Sequence, residues 1–231
     1  THKSNYLISN LFSVKAIREV LTLSPTFKTS PSLNQPNSSY LSLEQPTLSF
    51  LFHEPKEIKW AALRIYFDFD GSISPVFKLK KKRDAKNGKI YTYYQVQFEC
   101  EVQIAETNPS LVTDLLKICE DLGLRARIKK DSRNWSKLCG IIISHLPSVR
   151  KFLQVGPMTD VKISLKSRNF TGVSKRTIVN AVSDFLISGN SLSKYFDNKK
   201  EALKYRNSLV RKFLEIVKKA PSSRTKDNGQ G

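Results

Sequence analysis

Residues 63–73 read LRIYFDFDGSI: an apolar run that carries one arginine and then sets Asp68 and Asp70 immediately before Gly71. The preceding residues, EPKEIKWAA, place a proline near a helix start and acids early. Apolar residues follow at Ile58, Ala61, Ala62, Ile65 and Tyr66, the spacing of a helix that ends at Gly71. Two carboxylates at that end face the negative pole of the helix dipole and cost stability. Acids beside a glycine often only bond backbone groups in a turn. A bound cation is the other explanation. Carboxylates with little imidazole or thiolate nearby suit a hard ion such as Mg²⁺.

Working outward, SISPVFKLKKK alternates as a strand, with Ile73, Phe77 and Leu79 on one parity and Ser74, Lys78 and Lys80 on the other. Pro75 places it at an edge or a bulge. Asn87-Gly88 predicts a hairpin turn. The second strand, KIYTYYQVQFECEVQI, puts Ile90, Tyr94, Val96, Phe98, Cys100, Val102 and Ile104 on one face. Its other face carries Tyr91, Tyr93, Gln95, Gln97, Glu99, Glu101 and Gln103. NPSLVTDLLKICEDLGL reads as a helix stopped by Gly123. LRARIKKDSRNWSKLCGIIISHL reads as a second hairpin with Asp131 to Asn134 as its turn, and LPSVRKFLQVG as a short helix. SKRTIVNAVSDFLIS and the basic NKKEALKYRNSLVRKFLEIVKK predict two further helices. The class is α+β.

The chain has 39 Lys and Arg against 20 acids, a formal charge of +19, which predicts a polyanionic partner and above all nucleic acid. Cys100, Cys119 and Cys139 are widely spaced and fall in apolar runs. They predict neither a zinc site nor a disulfide, and fit a reducing, intracellular compartment. No run of 18 apolar residues predicts a membrane span. The chain opens on Thr1 and its one methionine is Met158, so it is expected to have been processed, or cut from something longer. Residues 1–56 carry a weak helical pattern over Asn5–Leu21 and then a Ser/Pro/Asn-rich stretch with the composition of a linker.

The motif, followed by a hairpin, a helix, a second hairpin and FLQVGPM, resembles a LAGLIDADG homing endonuclease domain. Its leading Leu-Arg matches a variant seen in archaeal and intein-borne members. The resemblance implies an αββαββα saddle, an antiparallel sheet with helices on one face, over residues 57–170. It leaves 1–56 as a linker or the remnant of an upstream repeat, 171–219 as basic C-terminal helices and 220–231 as a polar tail. It implies a Mg²⁺- (or Mn²⁺-) dependent site-specific endonuclease acting on double-stranded DNA, the intron- or intein-associated homing type. Asp70 would be the catalytic acid and metal ligand, Gly71 would lie at the metal through its backbone, and Asp68 would support the motif. DNA contacts would come from Lys78, Lys80, Lys82, Arg83, Tyr93, Gln95, Gln97, Arg125, Arg127, Lys129, Lys130 and Lys137.

One motif per chain implies a homodimer, unless an upstream repeat stands in a longer chain. Arg64 and Ile65 occupy positions where the family has small residues for close helix packing. Gly140 or Ile141 stands where it often has a basic one, with Lys137 as a substitute. Two rival readings stay open: a catalytically degenerate DNA-binding regulator or maturase-like RNA-binding protein on the same fold, and an unrelated basic α+β protein in which the acids merely close a helix.

Overall fold

A computed structural model describes residues 46–86, 88–163, 170–188 and 192–219. The readings made for Asn5–Leu21, the linker stretch up to residue 45, Asn87 and the 220–231 tail lie outside them. After a short 3-10 turn at Ser49–Leu51, the order is α1 (Lys56–Asp70), β1 (Gly71–Lys86), β2 (Lys89–Ile104), α2 (Pro109–Asp121), β3 (Ala126–Lys130), β4 (Leu138–Ile143), α3 (Leu146–Val155), α4 (Lys175–Ile187), β5 (Ser193–Phe196) and α5 (Lys199–Lys219). The first seven elements run αββαββα, and the class is α+β. Among the described residues no helix is long and apolar enough to cross a membrane.

All strand pairings are antiparallel, in the order β1-β2-β4-β3. β1 lies at an edge, where Pro75 is tolerated. β2 is the spine: β4 pairs with it at Val102–Ile104 and β5 at Tyr94–Gln97, both along the edge away from β1. β5 is a strand that the sequence reading missed. Four residues with one apolar-polar alternation give too short a period-2 signal beside two strong helical patterns.

The alternation along β2 sorts the molecule. Val96, Phe98, Cys100, Val102 and Ile104 are buried in one apolar cluster with residues from α1, α2, α3, α4 and α5. Phe185 of α4 meets Phe77, Phe98 and Phe213 at ring-centroid distances of 5.2, 4.9 and 5.9 Å, so the C-terminal helices share the core of the strands. The opposite face carries the polar side chains of β1, β2, β3 and β5.

α1 is held on this core by Leu63 and Phe67, both fully buried; each buried side chain of this kind contributes about 1.5–3 kcal/mol. Gly71 ends the helix in an extended conformation, φ −89° and ψ 157°, so no left-handed turn explains the glycine. The need is space: a Cβ there would meet Phe67 Cδ2 and the Phe67 carbonyl oxygen at 2.4 Å. The strand leaves directly off the last helical turn, and the Ala105 amide donates to the Asp70 carbonyl at 2.9 Å.

Candidate functional site

One helical turn separates Arg64 from Asp68, which places both on the same side of α1. Both grip the segment that follows α3. Arg64 donates from Nε to the Gly156 carbonyl and from Nη2 to the Pro157 carbonyl, each at 3.0 Å. Asp68 Oδ2 accepts from the Thr159 amide at 2.7 Å and from its hydroxyl at 2.8 Å. Arg176 of α4 adds bonds to the Pro157 and Met158 carbonyls. Arg64 therefore does not crowd the outward side of the helix, as its substitution for a small residue implied. It is the clamp that makes LR..FD and VGPM one structural unit.

Asp68 is buried, and its Oδ1 has no hydrogen-bond partner among the described residues. Asp70 is exposed. The two acids thus have different jobs: one carboxylate is spent on packing, and the other faces outward.

The cation at the helix end is in part supplied by the chain itself. The buried Lys175 donates from Nζ to the carbonyls of Phe67 and Asp68, both at 2.7 Å, and lies 5.3 Å from the centroid of the Phe67 ring. Burial pushes its pKa down from the ordinary value, against the pull of the Asp68 and Asp70 charges. Sequence reasoning missed this residue because it is more than a hundred positions away. The one available signal was a lysine just after Ser174, at the start of an otherwise apolar helical pattern.

Two further groups feel Asp70. Burial raises the pKa of Glu106, against the Asn108 and Thr107 amides that bond its Oε1, and the Asp70 charge adds to the rise. Burial, then the charges of Glu106, Asp70 and Asp114, push the Tyr66 hydroxyl up to about 12. Among the described residues, no group of three or more His, Cys, Asp and Glu is arranged to hold a metal ion.

The outward side of α1 is unusual. Ile58, Ala61, Ile65 and Phe69 follow one line along the helix and end beside Asp70. Ile58 is 47% exposed, Ile65 43% and Phe69 70%. This helix is apolar on two sides, and only one of them faces the chain's own core.

The strand register brings many of the expected contact residues together. Lys78 lies opposite Gln97, Lys80 opposite Gln95 and Lys82 opposite Tyr93, while Arg127 and Lys129 enter the same face from β3. These side chains are cross-linked. Lys78 and Lys80 both pair with Glu99, the second at 2.6 Å, and Lys80 also donates to Gln97 at 3.1 Å. Lys129 donates to Gln103 at 2.7 Å, and Arg127 stands 3.8 Å from Glu101. Partial burial works to raise the pKa of Glu99, but hydrogen bonds from the two lysines outweigh it and leave the carboxyl below its ordinary value.

Other expected contacts stand elsewhere on the molecule. Gln95 is buried, its Nε2 donating to the Ser193 hydroxyl at 2.8 Å and the Tyr195 hydroxyl at 3.3 Å, so it has no edge to offer. Arg83, opposite Thr92, and Lys130 have the other parity and point away from the polar face. Arg125 precedes β3, and its backbone amide donates to the Ser148 hydroxyl oxygen. Lys137 is exposed in the β3–β4 turn at φ 59°. Cys139 is half-buried rather than buried, whereas burial raises Cys100 and Cys119 to about 12.

Comparison with known proteins gives no relative. No family model, curated protein or solved structure matches the chain.

Proposed function

We propose that the chain is a site-specific DNA endonuclease of the LAGLIDADG kind, hydrolysing phosphodiesters with a divalent ion at Asp70 and acting as a symmetric pair. The observation that carries this reading is the apolar stripe along α1, in which Ile58, Ile65 and Phe69 are exposed and Ala61 is half-buried, and which runs to the exposed Asp70. Exposed apolar residues scattered singly need no explanation, but a line of them on one helix marks a contact surface. A two-fold axis alongside α1 would set two copies of the stripe against each other. Both Asp70 carboxylates would then stand at the same end of the pair.

The donors on offer there are oxygens, the Asp70 carboxylate and the Gly71 carbonyl, which suits Mg²⁺ or Mn²⁺. One copy offers a single outward carboxylate, and the second copy doubles the set. A divalent ion, when bound, supplies activation of water and charge stabilisation in phosphoryl transfer. The chain's own residues do the rest. Lys175 and the Thr159–Asp68 bonds hold the helix end in place. On the sheet, Lys78, Lys80, Lys82, Arg127 and Lys129 meet phosphates, while Gln97 and Gln103 present donors and acceptors to base edges in a major groove.

A second reading keeps the binding surface and drops the cutting: a DNA-binding regulator or a maturase-like RNA-binding protein. Two observations favour it. Ile65 places a bulky side chain in the middle of the stripe, and Gly140 and Ile141 put no basic side chain on β4.

Incubation with a randomised duplex library, with and without Mg²⁺ and beside Asp70→Asn, separates the two. Cutting that requires both the ion and Asp70 supports the nuclease. Tight binding with no cutting in any condition overturns it and leaves the binder.

A further inference from the structure

Three tyrosines share the polar face at the end of the sheet farthest from Asp70. Tyr91 and Tyr93 alternate along β2, and Tyr195 joins them from β5, opposite Gln95 in the register. Tyr93 and Tyr195 stand 5.6 Å apart between ring centroids at 65°. Tyr195 is 59% exposed and Tyr91 52%. Beneath them the buried Gln95 amide ties the Tyr195 hydroxyl and Ser193 to β2, so the aromatic group sits on an ordered base. Beside it, on β1, runs the column Lys78, Lys80 and Lys82, with Asp84 opposite Tyr91 as its acidic end.

We infer that Tyr91, Tyr93 and Tyr195 form a stacking platform for unpaired nucleobases, with the β1 lysines tracking the phosphates of the same strand. Exposed aromatic rings on a basic sheet face recognise splayed bases, because every base presents a π-face. Paired bases in a duplex are already stacked on one another and have no face to give. Tyr93 stands eleven positions before Ile104, the β2 residue opposite Gly71. At roughly 3.3 Å per residue the platform lies about 35 Å from the Asp70 end. The inference rests on the outer face being a nucleic-acid surface, as proposed above. It concerns a different state of the ligand and does not need Asp70 or cutting.

The platform also gives β5 a purpose. A strand of four residues adds little to a sheet that already has its core, yet it contributes Tyr195 and Ser193 to this face. Packing alone would bury these rings, yet Tyr91 and Tyr195 are exposed and Tyr93 is half-buried against Tyr195.

The test is fluorescence anisotropy of the full chain at one fixed salt concentration. The probes are end-labelled oligo-dT, oligo-rU and a duplex of the same length. Tyr195→Ala is expected to weaken single-strand binding about tenfold, the loss typical of one stacked base, and to leave duplex binding within about twofold. Tyr195→Phe, which keeps the ring, restores it, and Tyr91→Ala gives a loss of similar direction. Binding of either strand that depends on the Tyr195 ring supports the platform, and the ratio of rU to dT affinity says whether RNA or DNA is the source. The inference is overturned if the wild-type chain binds neither single strand. It is equally overturned if Tyr195→Ala changes nothing, or if it weakens duplex and single strands alike. The readout is binding of uncut oligonucleotides without added divalent ion, so failure of the nuclease reading and failure of the platform are distinguishable.

Discussion

β2 carries two chemistries on alternate residues. Its inner face packs Val96, Phe98, Cys100, Val102 and Ile104 into a core shared with α1 to α5, where each side chain depends on its neighbours' shapes. Its outer face holds Gln97, Glu99, Glu101 and Gln103 in a web of pairs with lysines and arginines from β1 and β3. Removal of an inner residue leaves a void that the close-packed interior fills poorly. Removal of an outer one leaves charges that water can solvate. The fold is therefore written on one face, and the other is left open to recognition.

The sharpest way to break this contrast is on the inner side. Phe185→Ala removes a fully buried ring with aromatic neighbours from β1, β2 and α5. A loss of about 3–5 kcal/mol is expected, read as a fall in the urea midpoint. A fall no larger than that of an ordinary surface substitution would show that the core is not shared.

Next comes Lys175→Met, which keeps the volume and removes the donor to two helix-end carbonyls. The expected cost is about 1–3 kcal/mol at neutral pH. Its pH dependence follows from the sign of the shift. Burial lowers the native pKa below the ordinary 10.5, so between those values the unfolded chain binds more protons than the native one. Stability of the wild-type chain then rises with pH across that window, and the gap to Lys175→Met widens. Parallel urea titrations at neutral and alkaline pH check it; a gap that narrows would refute the lowered pKa.

On the outer face, Glu99→Gln should leave the urea midpoint nearly unchanged while releasing Lys78 and Lys80. Nucleic-acid affinity is expected to rise severalfold, with a steeper dependence on salt. Unchanged affinity and slope would mean that the face does not meet phosphates.

The smallest effect is a matter of access. Cys100 and Cys119, buried and raised to about 12, should resist a thiol reagent at mild alkaline pH, and Cys139 should react first. Fast labelling of three thiols in the native chain would mean that the inner face opens.

How far the sequence alone reached follows the same division. Where side-chain parity repeats over many residues, as in Ile73–Leu79 and Val96–Ile104, the buried face could be read directly, and so could the helix that ends at Gly71. The reason for Gly71 could not, because the Cβ that it avoids would collide with Phe67, a fact of close approach rather than of backbone freedom. The acidic pair was legible as a problem in helix electrostatics, and Asp70 as the more interesting acid. The separate fates of the two acids became visible only with Thr159 and Lys175 in place, since neither contact leaves a trace in local spacing. Gln95 shows the limit on the polar face: parity assigned it correctly, and only β5, too short to announce itself, buried it.

The bond between Lys175 and the end of α1 also sets an order of events during synthesis. A ribosome that has delivered α3 has delivered every element of the αββαββα order, yet the end of α1 still lacks the ammonium that bonds its Phe67 and Asp68 carbonyls. The ammonium that meets them arrives 108 positions after Phe67 and 107 after Asp68. The turn bearing Asp70 is thus completed late. A translation product cut short before Lys175 carries the motif without its finished end, so whatever Asp70 does belongs to a chain that extends through α4 and not to the nascent fragment that first displays it.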